Sequence, residues 1–178
     1  MSKSIVSIGL VNPKSPNNVG SVMRAAGNFN VNNVFYTGKR YPRALMRNPD
    51  LPDMHRKVSQ NIPLSEVSNI IETVPAKMTI VCVEFAENAI SLTEYQHPVN
   101  AFYIFGPEDG TLDQNIIDRA DVVVYVPTTG CMNLAATVNV VLYDRLAKSI
   151  HCELNKKQSN ELIRQSRDIN NNLKVNFK

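Results

Sequence analysis

Cysteine is scarce in this sequence and builds no framework. Cys82, Cys131 and Cys152 are odd in number and lack metal-ligand spacing, a pattern that excludes a disulfide scaffold and suits a reducing compartment. Histidine is equally thin. His55, His97 and His151 are scattered, so no metal site is expected. No apolar run reaches the roughly 18 residues of a membrane helix, and the first residues lack a signal-peptide pattern. The expected setting is therefore the cytoplasm, with no membrane partner. Gly9, Gly20 and Gly27 do not form a G-x-G-x-x-G turn, there is no P-loop and no internal repeat is visible. Cys131 lies on a promising loop, yet no histidine is placed to activate it, and a small buried cysteine is the commoner case.

What is present describes one globular domain. The 178 residues are 43% hydrophobic, with a mean hydropathy of -0.19. That is enough for one core, expected over residues 1–152, with a polar, partly ordered tail at 153–178. Net charge is only +3, but it is unevenly spread. Lys39, Arg40, Arg43, Arg47, Arg56 and Lys57 face only Asp50 and Asp53 in the same window, a local excess that suits a phosphate backbone as well as it suits a solvated loop.

The hydrophobic pattern alternates strands with helices. Residues 4–11 read as a first strand that Pro13 and Pro16 end, and Asn17 or Asn18 can cap the helix carrying Val19, Val22, Met23 and Ala26. Residues 32–38 read as a second strand. Residues 39–63 read as a long polar loop with one short helix. Ser65 can cap a helix through Ile70, Ile71 and Val74; further strands are expected at 78–85 and 101–105, with a helical turn near Leu92 and a helix over 112–120. The block from Asp121 to Asp144 reads as a buried strand, a polar loop broken at Pro127 to Gly130, and a helix. In the tail, Leu162, Ile163 and Ile169 can support a marginal helix. The pattern predicts an α/β fold with a mostly parallel sheet flanked by helices.

In such a sheet, ligands bind at the carboxyl ends of the strands, which directs attention to three loops. One is Thr128 to Leu134. Another is Phe105-Gly-Pro-Glu-Asp-Gly110, where glycines permit close approach and Glu108 stands between them, although a plain turn has the same composition. The third runs from Asn12 into Asn18-Val-Gly-Ser-Val-Met-Arg24.

Taken together, Asn18 to Ala26, Phe105 to Gly110 and Val126 to Ala135 resemble the three motifs of the SpoU/TrmH family of RNA ribose 2'-O-methyltransferases, within the SPOUT superfamily. The likeness spans Ile5 to about Lys148 and is nearest to compact members that act on tRNA. It implies a C-terminal trefoil knot, a homodimer and S-adenosylmethionine bound in the knot loops near the subunit interface. Val83, Gly106, Val126, Cys131 and Met132 fall on cofactor-contacting positions. Arg24, Asn18, Glu108 and Asn133 fall on positions tied to catalysis. Cys131 and Ala135 stand where serines are frequent.

The resemblance also casts Arg24 as the base, but a guanidinium keeps its proton up to a pKa above roughly 12, so the role expected of Arg24 is to clamp a phosphate and steady developing alkoxide charge, whether or not it also accepts the proton. Lys39 to Lys57 would grip the RNA backbone and Tyr41 would stack on a base. The tRNA preference rests on the lack of an extra domain before Ile5. Three other readings stay open: a methyltransferase of rRNA, a non-catalytic RNA-binding protein of the same fold, and a small-molecule α/β enzyme.

Overall fold

The computed structural model describes residues 4–47, 60–149 and 156–175. They fall into two units, Met1–Lys148 and Ser149–Lys178. The first unit runs β1 (Val6–Leu10), α1 (Pro16–Asn28), β2 (Asn33–Tyr36), α2 (Arg40–Arg47), β3 (Leu64–Glu66), β4 (Thr79–Val83), β5 (Ile90–Ser91), β6 (Ala101–Phe105), α3 (Gln114–Ile117), β7 (Val122–Tyr125) and α4 (Leu134–Lys148). The second unit holds α5 (Lys156–Ser166), which ends before Ile169. Among the described residues, no helix is long and apolar enough to cross a membrane.

The seven strands form one sheet in the order β3-β2-β1-β6-β4-β7-β5, and every pairing is parallel. Parallel sheets bury both faces, and β6 shows how the sequence meets that demand. Ala101, Tyr103 and Phe105 point to the layer of α1 and α4, where Val22, Met23, Val138 and Val141 pack. Phe102 and Ile104 point to the opposite layer, with Ile70, Ile71 and Leu112. Burying one such aromatic removes about 150–250 Å² from water, worth about 4 to 6 kcal/mol before entropy is counted. Gly9 in β1 is a packing requirement: a Cβ there would lie 2.8 Å from both Ile70 Cγ1 and Phe102 Cε1.

The strand order fixes where a ligand can enter. From β1 the chain moves outward to β2 and β3, whereas β6 and β4 lie on the other side of β1. The loops leaving the carboxyl ends of β1 and β6 meet through the Lys14 and Ser15 amides on Glu108, and the open space lies on the side of β6, β4 and β7. The loops after β4 and β7 open on the same edge.

At the opposite edge a polar network fastens α4 to the start of β6. His97 is deeply buried, and burial holds its pKa below the ordinary value despite the hydrogen bond and attraction of Asp144. A neutral imidazole has one donor and one acceptor. The Asp144 carboxylate can only accept, so Nε2 donates to it at 2.9 Å and Nδ1 accepts from the Tyr103 hydroxyl at 2.6 Å. Arg145 donates to Tyr103 Oη at 3.2 Å, to the Pro98 carbonyl at 2.6 Å and to Ser4 Oγ at 2.8 Å.

Three local expectations are corrected. Helix α1 is capped by Ser15, with Pro16 in its first turn, so Asn17 and Asn18 lie inside the helix. Ser65 caps nothing: it sits in β3, paired with Phe35 across a parallel ladder. Ile70 and Ile71 are buried through turns instead, with Asn69 Oδ1 accepting from the Ile71 amide at 3.0 Å. The helix expected over 112–120 contracts to the single turn α3. The two-residue edge strand β5, beside β7, was not foreseen.

Candidate active site

Helix α1 starts where Pro13 and Pro16 forbid continuation of β1, and its first turn meets the loop after β6. Glu108 is the meeting point. Its Oε2 accepts from the Lys14 amide at 2.7 Å, and its Oε1 from the Ser15 amide at 2.9 Å and Asn18 Nδ2 at 3.1 Å. Burial by itself would raise the Glu108 pKa, but the Ser15 and Lys14 amides and the Asn18 side chain outweigh it and hold the group below the usual carboxylate range. Asp109 beside it pairs with Arg40 at 2.7 Å, which helps pull its pKa down to about 2. That pair ties helix α2 to the same loop.

Asn133 completes the convergence. Its Oδ1 caps α4 by accepting from the Ala135 amide at 2.9 Å and the Ala136 amide at 3.3 Å, while its Nδ2 donates to Asn18 Oδ1 at 2.9 Å. Asn133, Asn18 and Glu108 therefore form a continuous hydrogen-bonded relay across segments far apart in sequence.

The relay borders a cleft of about 130 Å³ at the carboxyl edge of the sheet. Val83, Phe105, Val126 and Leu134 supply an apolar wall; Glu84, Glu108, Thr128 and Thr137 supply polar groups. No lysine, arginine or histidine among the described residues lines it. Gly106 lies in the floor, where a Cβ would come within 3.2 Å of Glu84 Oε2 and 3.4 Å of the Leu112 amide. Thr128 folds the loop after β7, donating from Oγ1 to the Gly130 carbonyl at 2.8 Å.

All five positions expected to contact a cofactor, Val83, Gly106, Val126, Cys131 and Met132, line this one cleft, as does Glu108. Asn18 and Asn133 stand behind its wall through the relay. Arg24 is not among the lining residues of its own chain. It lies on α1, and its Nε is buried without a hydrogen-bond partner among the described residues. Cys131 is exposed, whereas Ala135 is buried in the first turn of α4 and leaves no hydroxyl there.

The basic window resolves unevenly. Lys39 is paired with Glu66 and Arg40 with Asp109, while Arg43 and Arg47 are exposed with no ion-pair partner among the described residues. Arg56 and Lys57 lie outside the described residues. Tyr41 is buried edge-on against Tyr36 at 5.1 Å, so it is not available to stack on a base. Glu84, Phe85 and Tyr125 line the cleft and were not singled out from sequence. Their signal was available: each lies at the carboxyl end of a predicted strand, as the known candidates do.

A family model described as the SpoU rRNA methylase family matches residues 5–143. The tRNA (cytidine-2'-O-)-methyltransferase TrmJ of Methanocaldococcus jannaschii is 27% identical over 166 residues, covering 82% of this chain and 69% of the relative. A structure from a study of 2'-OH methylation of C/U34 on tRNA superposes with a TM-score of 0.67 at 20% identity, covering 83% of this chain and 92% of that one. AviRb from Streptomyces viridochromogenes in complex with AdoMet gives a TM-score of 0.67 at 17% identity, over 85% of this chain and 60% of that one. At these identities the structural likeness is one of fold, and the match over most of the chain supplies the rest. The chain belongs to the SpoU methylase family and is an RNA methyltransferase.

Proposed function

We propose that this chain transfers a methyl group from S-adenosylmethionine to a ribose 2'-hydroxyl of tRNA, with two copies of the chain as the working unit. The observation that carries the reading is the relay of Asn133, Asn18 and Glu108, which ties helix α1 and the loops after β6 and β7 into the border of one cleft. The residues present fit the donor. The apolar wall suits a purine, and the open cleft of about 130 Å³, close to the roughly 150 Å³ of a cavity that holds benzene, has room for one aromatic ring system of the donor. Two carboxylates, with no cationic side chain among the described residues in the lining, suit a positively charged ligand. The likeness to TrmJ supports tRNA as the substrate.

When bound, S-adenosylmethionine supplies a methyl group already activated by its sulfonium. The chain then has to align the hydroxyl and manage its charge. Arg24 suits the second task, since its buried Nε has no hydrogen-bond partner among the described residues. It is absent from its own cleft, so the proposal places it at the cleft of a second copy, where it clamps the adjacent phosphate and steadies the 2'-oxygen as the methyl leaves the sulfur and the hydroxyl proton passes to water. Tyr143 and Leu146, exposed on α4, support self-association, because α4 packs beside α1. The trefoil knot implied by the resemblance belongs to the same proposal. Arg43 and Arg47 on α2 would hold the RNA backbone next to the cleft, to which Arg40 anchors the helix.

The test is transfer of labelled methyl groups to bulk tRNA, followed by digestion to nucleosides. Label in 2'-O-methylnucleosides is expected; label in bases, or transfer to rRNA alone, would overturn the reading. Arg24→Ala should lower turnover by about 100- to 1000-fold with cofactor affinity unchanged. Mixing it with an inactive Gly106→Val chain should restore partial activity, because a mixed dimer then holds one intact site. No recovery in mixed dimers of confirmed composition would place Arg24 elsewhere.

A further inference from the structure

Two carboxylates line the cleft, and they differ in what already satisfies them. Glu108 receives three hydrogen bonds from Lys14, Ser15 and Asn18, which hold it to the α1 side. Glu84 directly follows β4 and receives one backbone amide on each oxygen, Phe85 on Oε1 at 2.9 Å and Leu112 on Oε2 at 2.9 Å. An ionised carboxylate offers about four acceptor positions, so roughly two remain on Glu84. Among the described residues Glu84 takes part in no salt bridge. Its Oε2 faces the floor of the cleft, since a Cβ on Gly106 would lie 3.2 Å away. The result is a negative charge fixed by two amides in a cleft that no cationic side chain among the described residues lines.

We infer that Glu84 makes the cleft prefer the cationic sulfonium of the methyl donor over the neutral thioether left after transfer. This rests on the reading of the cleft as the donor site. Donor and product share the adenosine and amino-acid parts, and differ in one methyl group and one positive charge. A fixed carboxylate therefore acts on their difference. Attraction between unit charges several ångströms apart in a half-exposed site is worth about ten-fold in affinity. Glu84 would bind the donor more tightly while letting the product leave.

The experiment is calorimetry on the full chain with S-adenosylmethionine and S-adenosylhomocysteine, for the wild type, Glu84→Gln and Glu108→Gln. The quantity read is the ratio of the two dissociation constants. Glutamine at position 84 keeps the shape but presents a donor to one amide that the carboxylate accepted, so the loop shifts. That shift weakens both ligands alike and cancels in the ratio, which a merely structural role would leave unmoved. Glu84→Gln is expected to reduce the preference for the donor by about ten-fold, and Glu108→Gln, which removes the second carboxylate of the lining, by less. An unchanged ratio in Glu84→Gln, or a larger change in Glu108→Gln than in Glu84→Gln, overturns the assignment. Wild-type protein that binds neither ligand would instead sink the reading of the cleft itself.

Discussion

Asn18→Asp is the most discriminating single change to the relay. The substitution is isosteric: one carboxylate oxygen keeps the acceptor role toward Asn133 Nδ2 at 2.9 Å, and the other replaces the amide nitrogen 3.1 Å from Glu108 Oε1. A charge-assisted hydrogen bond worth about 1.5 to 3 kcal/mol is lost. Two negative charges about 4 Å apart repel by about 4 kcal/mol at an effective dielectric of about 20, which solvent at this half-exposed site reduces to about 2. Opposing this, position 18 lies in the first turn of α1, where an acid gains about 0.5 kcal/mol from the helix dipole. Repulsion wins, leaving about 3 kcal/mol of destabilisation and a melting point lower by about 6 to 12 °C.

The sign with pH is distinctive. Paired carboxylates share a proton, so their folded pKa rises above the unfolded value. Protonation then favours the folded variant, whose deficit is small below about pH 4 and grows as pH rises through the folded pKa. Thermal melts of the wild type, Asn18→Asp and Asn18→Ala from pH 4 to pH 8 test this. Asn18→Ala loses the same hydrogen bond without the repulsion and should lack the pH dependence of the aspartate variant. An aspartate variant that melts with the wild type at pH 8, or tracks the alanine variant at every pH, would refute the account.

Gly9→Ala drives a Cβ into Ile70 and Phe102 and should cost about 1 to 3 kcal/mol, with Ile70→Ala in the same chain recovering part of that loss in denaturant titrations. His97 has a lowered folded pKa, so its contribution is present above the ordinary value near about 6.5 and is lost as pH falls through the folded pKa. His97→Gln should flatten the melting-point curve between pH 7.5 and pH 5; an unaltered slope would show that other groups set it. Arg43→Glu and Arg47→Glu should each weaken tRNA binding and reduce the steepness of its salt dependence by about one, measured by filter binding across salt concentrations. Unchanged binding would remove α2 from the RNA path.

The strands were legible where burial on both faces writes itself as an apolar run, as at 101–105. Elements were misread where a local signal competed with the sheet. Ser65 looks like a cap, but the open edge of β2 recruits it into a strand, because ladder hydrogen bonds and burial outweigh a capping preference. Asn18 looks like a cap too, yet Ser15 reaches that role first because Pro16 fixes the backbone for the first turn. Tyr41 stands in a basic window that resembles an RNA platform, and only packing against Tyr36 shows it to be a core residue. Asn18, Glu108 and Asn133 could be chosen from motif positions, but not their mutual hydrogen bonds.

Sequence alone determined the alternation of strands and helices, the loops at strand ends and the family, because hydrophobic period, proline placement and motif order are local properties of the chain. Tertiary structure alone decided that β6 inserts between β1 and β4, that Asn133, Asn18 and Glu108 join hands, and that Glu84 faces the floor of the cleft while Arg24 does not line it. Those outcomes depend on strand order and helix rotation, which arise from packing residues that lie far apart along the chain.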